Sequence, residues 1–175
     1  MIFKSISCAL FLGVLVFSNS ASATYEAFAA PAAQALEIIA GLTQEFKVLV
    51  TNTATASIFL KCASADDAIT GDGSDSDDWW TLQPGDALGW NFGSSAGGRT
   101  CFWCYANSND QAARDSGNWY IHQNVWGLNN FDDCPGTPGQ TNEFTYWEIR
   151  NDGAYADDGD GDGMKKYSDW GAPPS

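Results

Sequence analysis

Apolar side chains in this sequence recur at every second position, in short runs spread between Phe46 and Arg150. A period of two is typical of a β-strand with one buried face, because successive side chains point to opposite sides of a sheet. Segments rich in Gly, Pro, Asn and Asp separate the runs, as turns and loops do. The strand-like runs are 46–51, 58–62, 79–82, 88–92, 100–106, 119–126 and 144–150.

Runs of this length and spacing predict an all-β protein. We expect a two-sheet antiparallel β-sandwich of about seven to eight short strands, stapled by disulfides, with a barrel as the alternative. Aromatic residues carry much of the apolar content, with 8 Trp, 10 Phe and 6 Tyr, and they favour pleated, half-buried surfaces. The residues predicted to form the core are Val48, Val50, Ile58, Leu60, Trp90, Phe92, Phe102, Ile121, Trp147 and Ile149.

Outside this region the sequence changes character at both ends. Residues 1–23 match a secretory signal peptide, with one positive charge, an apolar stretch and a small-residue cleavage site, so we expect a secreted protein. Residues 24–45 are interpreted as a leader or a short helix that Pro31 opens and Gly41 weakens. Its apolar face would be Leu36, Ile38, Ile39 and Leu42. The sandwich domain is expected over 46–155, followed by an acidic, flexible tail over 156–175.

Four cysteines remain once the signal peptide is removed, since Cys8 leaves with it. An even number of cysteines in an oxidising compartment predicts two disulfides. Cys101 and Cys104 have opposite phase on one strand and point to opposite faces, so they cannot bridge each other. We predict Cys62–Cys104 with Cys101–Cys134, because Cys62 and Cys104 share the phase of core residues, while the alternative exchange of partners remains open.

The chain is strongly acidic, with 22 acidic and 8 basic residues and a formal net charge of −14. Nucleic acids and anionic membrane surfaces repel such a charge, so we expect neither nucleic-acid binding nor membrane insertion. The same charge favours a soluble monomer and is compatible with a cationic partner or a divalent cation.

Five short pieces of sequence follow one another in a characteristic order. They are Val50-Thr51-Asn52 with Leu60-Lys61-Cys62-Ala63-Ser64, Leu82-x-Pro84-Gly85-Asp86, Trp90-Asn91-Phe92, Thr100-x-Phe102-Trp103-Cys104 and Trp147-Glu148-Ile149-Arg150-Asn151-Asp152-Gly153-Ala154-Tyr155. In this order they resemble the plant self-incompatibility S-protein homologues. The chain resembles a divergent member, because Lys61 stands where relatives usually carry His, and Asn142 and Thr145 stand where they usually carry Cys.

The resemblance implies a small secreted β-sandwich without catalytic machinery. It would act as a ligand that a cell-surface receptor or another extracellular protein recognises. Contacts of such a ligand are expected on the loops between strands, here 65–80 and 127–143. The residues that we predict to contact the partner are Asp75, Asp77, Asp78, Trp79 and Trp80.

The titratable residues form no catalytic motif. His122 is the only imidazole, on a strand where Tyr120, Asn124 and Trp126 are expected to share its face, and no Gly-x-Ser-x-Gly elbow occurs. A redox or zinc role for Cys101-x-x-Cys104 lacks the βαβ pattern or the additional histidines that it requires. The sequence therefore predicts a protein that is not an enzyme and has no cofactor, with calcium as the one candidate.

The calcium candidate rests on residues 158–163, which match the first half of a calcium-binding loop. Alternating carboxylates on a glycine-rich turn can converge on a hard cation, while a disordered acidic tail would have the same composition. The predicted ligands are Asp158, Asp160, Asp162 and Asp169.

A carbohydrate-binding module is the other alternative function. Trp79 and Trp80 follow an Asp-rich loop, and aromatic rings beside carboxylates are typical of sugar-binding surfaces. Because adjacent side chains on a strand point to opposite faces, only one of the two rings can face the core.

Overall fold

A computed structural model describes residues 27–42, 45–64, 69, 79–93, 101–127, 143–157 and 161–175 of the chain. The helices in these residues are α1 (Ala32–Gly41) and α2 (Gln111–Ser116). The strands are β1 (Phe28–Pro31), β2 (Phe46–Asn52), β3 (Ile58–Ser64), β4 (Trp80–Leu82), β5 (Asp86–Phe92), β6 (Cys101–Ser108), β7 (Tyr120–Gly127), β8 (Phe144–Arg150), β9 (Gly153–Asp157) and β10 (Met164–Ser168).

The strands form two sheets. The six-stranded sheet has the order β1-β5-β2-β8-β9-β10, and the four-stranded sheet has the order β4-β3-β6-β7. All neighbouring strands are antiparallel except β2 and β8, which run parallel. The predicted all-β, two-sheet architecture is confirmed.

The details differ from the prediction in strand number and in one strand direction. Ten strands are present in the described residues instead of seven or eight. The additional ones are β1, β9 and β10, which lie at the ends of the six-stranded sheet or beside its last strand. Parallel neighbours need a long crossover connection, and here the chain from β3 to β7 supplies it between β2 and β8. A period of two reveals strands but not the direction of their neighbours.

The core lies between the sheets and contains every residue that the alternation predicted. All ten of those side chains are buried. Phe92 lies at the centre of an aromatic cluster, with its ring centroid 4.4 Å from Phe102, 4.8 Å from Trp126 and 5.5 Å from Phe46. One of these contacts is stacked, one is tilted and one is edge-on, and such ring contacts stabilise a core beyond the burial of area.

Two buried polar side chains join the sheets. Asn52, at the end of β2, donates from Nδ2 to the carbonyl oxygen of Leu82 in β4 at 3.0 Å. Trp147 of β8 donates from Nε1 to the carbonyl oxygen of Val125 in β7 at 2.9 Å. Both side chains are fully buried, so each bond satisfies a polar group that burial would otherwise penalise.

Helix α1 forms a third layer on the outer face of the six-stranded sheet. It begins directly after Pro31, as expected from a proline before the first turn, and the predicted short helix is present. Ala35 and Ile39 are buried against Leu49 of β2 and Ala87 of β5. The described part of the 24–45 segment therefore belongs to the folded unit, since β1 also pairs with β5.

The predicted apolar face of this helix is wrong in part. Leu36 and Ile38 are 45% and 36% exposed, whereas the smaller Ala35 is fully buried. Residues four apart share a helix face, so Ala35 and Ile39 seat the helix. A small side chain lets the helix approach the sheet closely, and a search for large apolar residues overlooks it.

Residues 161–175 do not form the flexible tail that their composition predicted. β10 pairs with β9, and Trp170 donates from Nε1 to the carbonyl oxygen of Arg150 at 3.0 Å. Beyond it, Gly171 pairs with Tyr120 at the edge of the four-stranded sheet. The segment therefore crosses from one sheet to the other.

The four-stranded sheet contains the disulfide Cys62–Cys104, between residues directly opposite each other on β3 and β6. This pairing is the one that the strand phases favoured. Cys101 is also disulfide-bonded. Its predicted partner Cys134 lies outside the described residues, so the Cys101–Cys134 bridge stays a prediction.

Candidate functional site

The two sheets differ on their outer faces, which are the faces turned away from the core. α1 packs on the outer face of the six-stranded sheet, while α2 is six residues long and buries no residue. On the outer face of the four-stranded sheet lie side chains that alternate with the buried ones of β3, β6 and β7. Most are half-buried and His122 is exposed; the set is Phe59, Lys61, Trp103, Tyr105, Asn107, Tyr120 and His122.

A groove of about 420 Å³ opens on this face, and we call it the aromatic groove. Its walls come from the outward residues of three strands, from the segments before β4 and β7, and from the segment after β10. The lining residues are Lys61, Trp79, Tyr105, Asn107, Trp119, Tyr120, Pro173 and Pro174. Four of the eight are Trp or Tyr, residues that combine apolar area with a polar tip and are enriched at binding surfaces.

The rings in and beside the groove are packed against each other. Tyr105 stacks on His122, with 4.5 Å between ring centroids, and lies 6.3 Å from the ring of Tyr120 at a small interplanar angle. The Arg114 guanidinium of α2 lies over the ring of Trp119, 5.2 Å from its centroid. Neighbouring side chains cover one face of several of these rings. A ligand in the groove would therefore pack between the rings and not on one broad aromatic surface.

Partial desolvation shifts the pKa of two of these rings. Burial raises the pKa of Tyr120, and the nearby Tyr105 adds to the rise, so its hydroxyl stays a hydrogen-bond donor throughout the physiological range. His122 is exposed on one side, but its neighbours desolvate the rest of the ring, which lowers its pKa below the usual 6.5 and keeps the imidazole neutral at pH 7. Lys61 is then the formally charged side chain among the lining residues.

The two tryptophans predicted to contact a partner lie on opposite sides of the sheet. Trp80 is half-buried and packs against the core, opposite Leu60, whereas Trp79 lines the aromatic groove. This confirms the prediction that only one of these two adjacent rings faces the core. Asp75, Asp77 and Asp78 lie outside the described residues, and so do most residues of the two predicted contact loops, 65–80 and 127–143.

The predicted twelve-residue calcium loop is not compatible with the strand that it contains. Asp162 and Asp169 lie on either side of β10, whose five residues extend over about 16 Å at the usual rise per residue. Each carboxylate pairs with a lysine, Asp162 with Lys165 at 3.8 Å and Asp169 with Lys166 at 2.6 Å. Asp162 and Asp169 therefore cannot converge on one cation. Asp158 and Asp160 lie outside the described residues.

A search of the described part of the chain finds no group of three or more His, Cys, Asp or Glu side chains that could hold a metal ion. His122 contacts Tyr105 through its ring face. Neither helix in the described ranges has the length and hydrophobicity that crossing a bilayer requires.

A second, smaller cavity of about 120 Å³ lies among the turns at one end of the sandwich. Its polar side chains hold the turns together: Asn151 accepts from the backbone and hydroxyl of Thr55, and Asp110 accepts from the N–H of Ala113 at the start of α2. Because these groups are already bonded, this cavity is structural in role.

Fold and surface together define a disulfide-stapled two-sheet sandwich with one helix-covered and one aromatic outer face. A family model described as plant self-incompatibility protein S1 matches residues 47–170, well over half of the 175-residue chain. The chain belongs to the plant self-incompatibility protein S1 family. No curated protein and no solved structure gives a significant match.

Sequence reasoning assigned contacts to loops and missed the face of the four-stranded sheet. The signal was present: on β6 and β7 the positions opposite in phase to the core carry Trp103, Tyr105 and Tyr120, where a solvated face usually carries polar residues. No sequence pattern places Pro173 and Pro174 at this surface. Their position depends on the pairing of β10 with β9, which the alternation did not predict.

Proposed function

We propose that this protein is a secreted, non-catalytic signalling ligand that a cell-surface protein recognises through the outer face of its four-stranded sheet. Membership of the plant self-incompatibility protein S1 family supports a signalling role. Secretion is supported by the signal-peptide pattern at residues 1–23 and by the disulfides, which persist in oxidising compartments.

The observation that carries the proposal is the aromatic groove. α1, Leu49 and Ala87 cover one outer face with the chain's own residues, whereas the other outer face presents tyrosine, tryptophan and a lysine around an open groove. Binding energy at protein interfaces is concentrated in Trp, Tyr and Arg anchors. Trp79 also joins this surface directly to the acidic segment 65–78, where Asp75, Asp77 and Asp78 remain proposed contacts.

Binding of the labelled protein to plasma-membrane vesicles from the tissue that expresses it tests the proposal. The double variant Tyr105→Ala/His122→Ala removes two stacked rings from the face. The matched control Leu36→Ser/Ile38→Ser changes two exposed apolar residues on α1. We expect saturable binding that the first variant weakens at least tenfold and the control leaves unchanged, since losing an aromatic anchor costs about 2 kcal/mol or more. Absence of saturable binding, or equal loss in both variants, would contradict the proposal.

A further inference from the structure

The segment after β10 is a guide to what the aromatic groove binds. Tyr120 and Gly171 exchange two backbone hydrogen bonds, of 2.9 Å from Tyr120 N–H and 2.8 Å from Gly171 N–H. β7 is an edge strand of the four-stranded sheet, and among the described residues Gly171 is the one that pairs with its outer edge. An extended peptide that adds to a sheet edge is a recurring mode of recognition.

Two residues further on, the same segment enters the groove. Pro173 and Pro174 line it together with Tyr105, Trp119 and Tyr120. Proline has no N–H, so pairing with β7 cannot continue through these residues, and its fixed φ favours an extended polyproline II conformation. Aromatic-lined grooves bind such segments because the peptide is already rigid and loses little entropy.

The chemistry of the groove suits such a peptide. A polyproline II segment leaves its carbonyl oxygens free, and tyrosine hydroxyls together with Lys61 are donors on the groove wall.

We propose that the aromatic groove binds an extended, proline-containing peptide segment of an extracellular partner, and that Pro173–Pro174, which form one side of the groove in the free protein, hold part of this binding site as an internal ligand. The inference rests on the proposed function and names the partner's chemistry at the same surface. Where the internal segment covers part of the site, the apparent affinity for the partner is reduced in proportion to the fraction of molecules in which that segment is displaced.

The test uses the full chain and two synthetic peptides. One consists of three consecutive Ala-Pro-Pro-Ser units, and the other replaces each proline by alanine. Titrations followed by tryptophan fluorescence and calorimetry compare the unmodified protein with Pro173→Ser/Pro174→Ser. We expect the proline peptide to bind at least tenfold more tightly to this variant than to the unmodified protein, and the alanine peptide to bind at least tenfold more weakly than the proline peptide.

Groove variants in the Pro173→Ser/Pro174→Ser background locate the binding. Tyr105→Ala is expected to weaken peptide binding at least tenfold. Lys61→Ser is a polar change at a half-buried position, and it gives a second variant that keeps the rings in place. We expect about a threefold loss from it, the size of one modest hydrogen bond. Leu36→Ser on α1 is the control and should change nothing.

Equal binding of both peptides, no effect of the groove variants, or binding of a β-linked oligosaccharide in place of the peptide would each overturn the inference. These outcomes are separable from the proposed function. Tyr105-dependent binding to membranes without peptide binding leaves the proposed function standing and removes the peptide. Peptide binding without membrane binding leaves the peptide site standing and removes the proposed function.

Discussion

The two outer faces of this sandwich differ in what covers them. On the six-stranded sheet, Ala35 and Ile39 of α1 close over Leu49 and Ala87, so the outward residues become a second small core. On the four-stranded sheet, the outward residues are rings and a lysine around a groove. The covered face contributes to stability, and its residues are constrained by packing on both sides.

The open face depends on a different support. Its sheet has four strands instead of six, and it is held internally by the Cys62–Cys104 bridge between β3 and β6. No helix of the described residues buries side chains against this outer face, so the side chains above that bridge can vary without disturbing such a layer. A rigid sheet with changeable outward residues is suited to specific recognition, since preorganised contacts lose less entropy on binding.

The largest effect is expected from removing the bridge that supports the open face. Cys62→Ala/Cys104→Ala should lower the free energy of unfolding by about 4 kcal/mol, because the bridge closes a loop of 42 residues. Urea denaturation measures the loss, with the unmodified protein under reducing conditions as a comparison. A loss below about 1 kcal/mol would mean that packing, and not the bridge, holds this sheet.

The next largest effect is expected when the loss of unfolding free energy is compared between one substitution on each face. Ile39→Ala should cost about 3 kcal/mol of unfolding free energy, since it leaves a cavity beside Leu49. Tyr105→Ala should cost about 1 kcal/mol or less, because its half-buried ring lies outside both hydrophobic clusters. Denaturant midpoints at equal slope give both values. Equal costs would abolish the distinction between a stabilising face and a binding face.

A smaller effect is expected where the two faces are linked. Gly153, the first residue of β9, has a φ of +148°, and an added Cβ would overlap the carbonyl oxygen of Ser168. Gly153→Ala should therefore cost about 2 kcal/mol and displace β10, which leads to Pro173–Pro174. Hydrogen exchange should show faster exchange in β10 and at Tyr120, with β2 and β5 unchanged. Slowly exchanging β10 amides in the variant would contradict this.

The smallest effect concerns the exposed charges that fasten β10. Tyr155 and Lys166 hydrogen-bond to Asp152 and hold the pKa of its carboxyl below the usual value. A lowered pKa in the folded state means that the contribution is present at neutral pH and is lost as the pH falls through that lowered value. Asp152→Asn should flatten the acid limb of the stability curve below about pH 4. If the unfolding free energies of the variant and the unmodified protein fall equally at low pH, this contact contributes nothing to stability.

Much of the fold could be predicted because burial on one side of a sheet imposes a period of two. Val48, Trp90 and Phe102 are examples, and all three are buried between the sheets. The same rule predicted that Trp126 lies on the outward face of its strand together with Tyr120, and this prediction is wrong. An irregularity in the β6–β7 register, between Phe102 and Trp103, places Trp126 opposite Phe102 in the core. A one-residue bulge reverses the phase, and alternation alone cannot reveal it.

The candidate site was harder to predict, because it combines residues that are distant in sequence. Trp79, Tyr105 and Trp119 come from separate elements, and Pro173 reaches them only because β10 pairs with β9. Composition described residues 156–175 as acidic and low in complexity, which predicts disorder. Pairing with an existing sheet edge supplied the order that composition could not indicate.

The most direct test of the account is hydroxyl-radical footprinting of the protein bound to membrane vesicles, read by mass spectrometry. The account predicts that binding protects Tyr105 and Trp119 on the four-stranded sheet, while oxidation at Leu36 and Ile38 of α1 stays at the level of the free protein. Protection at Leu36 and Ile38 with unchanged oxidation of Tyr105 and Trp119 would contradict it.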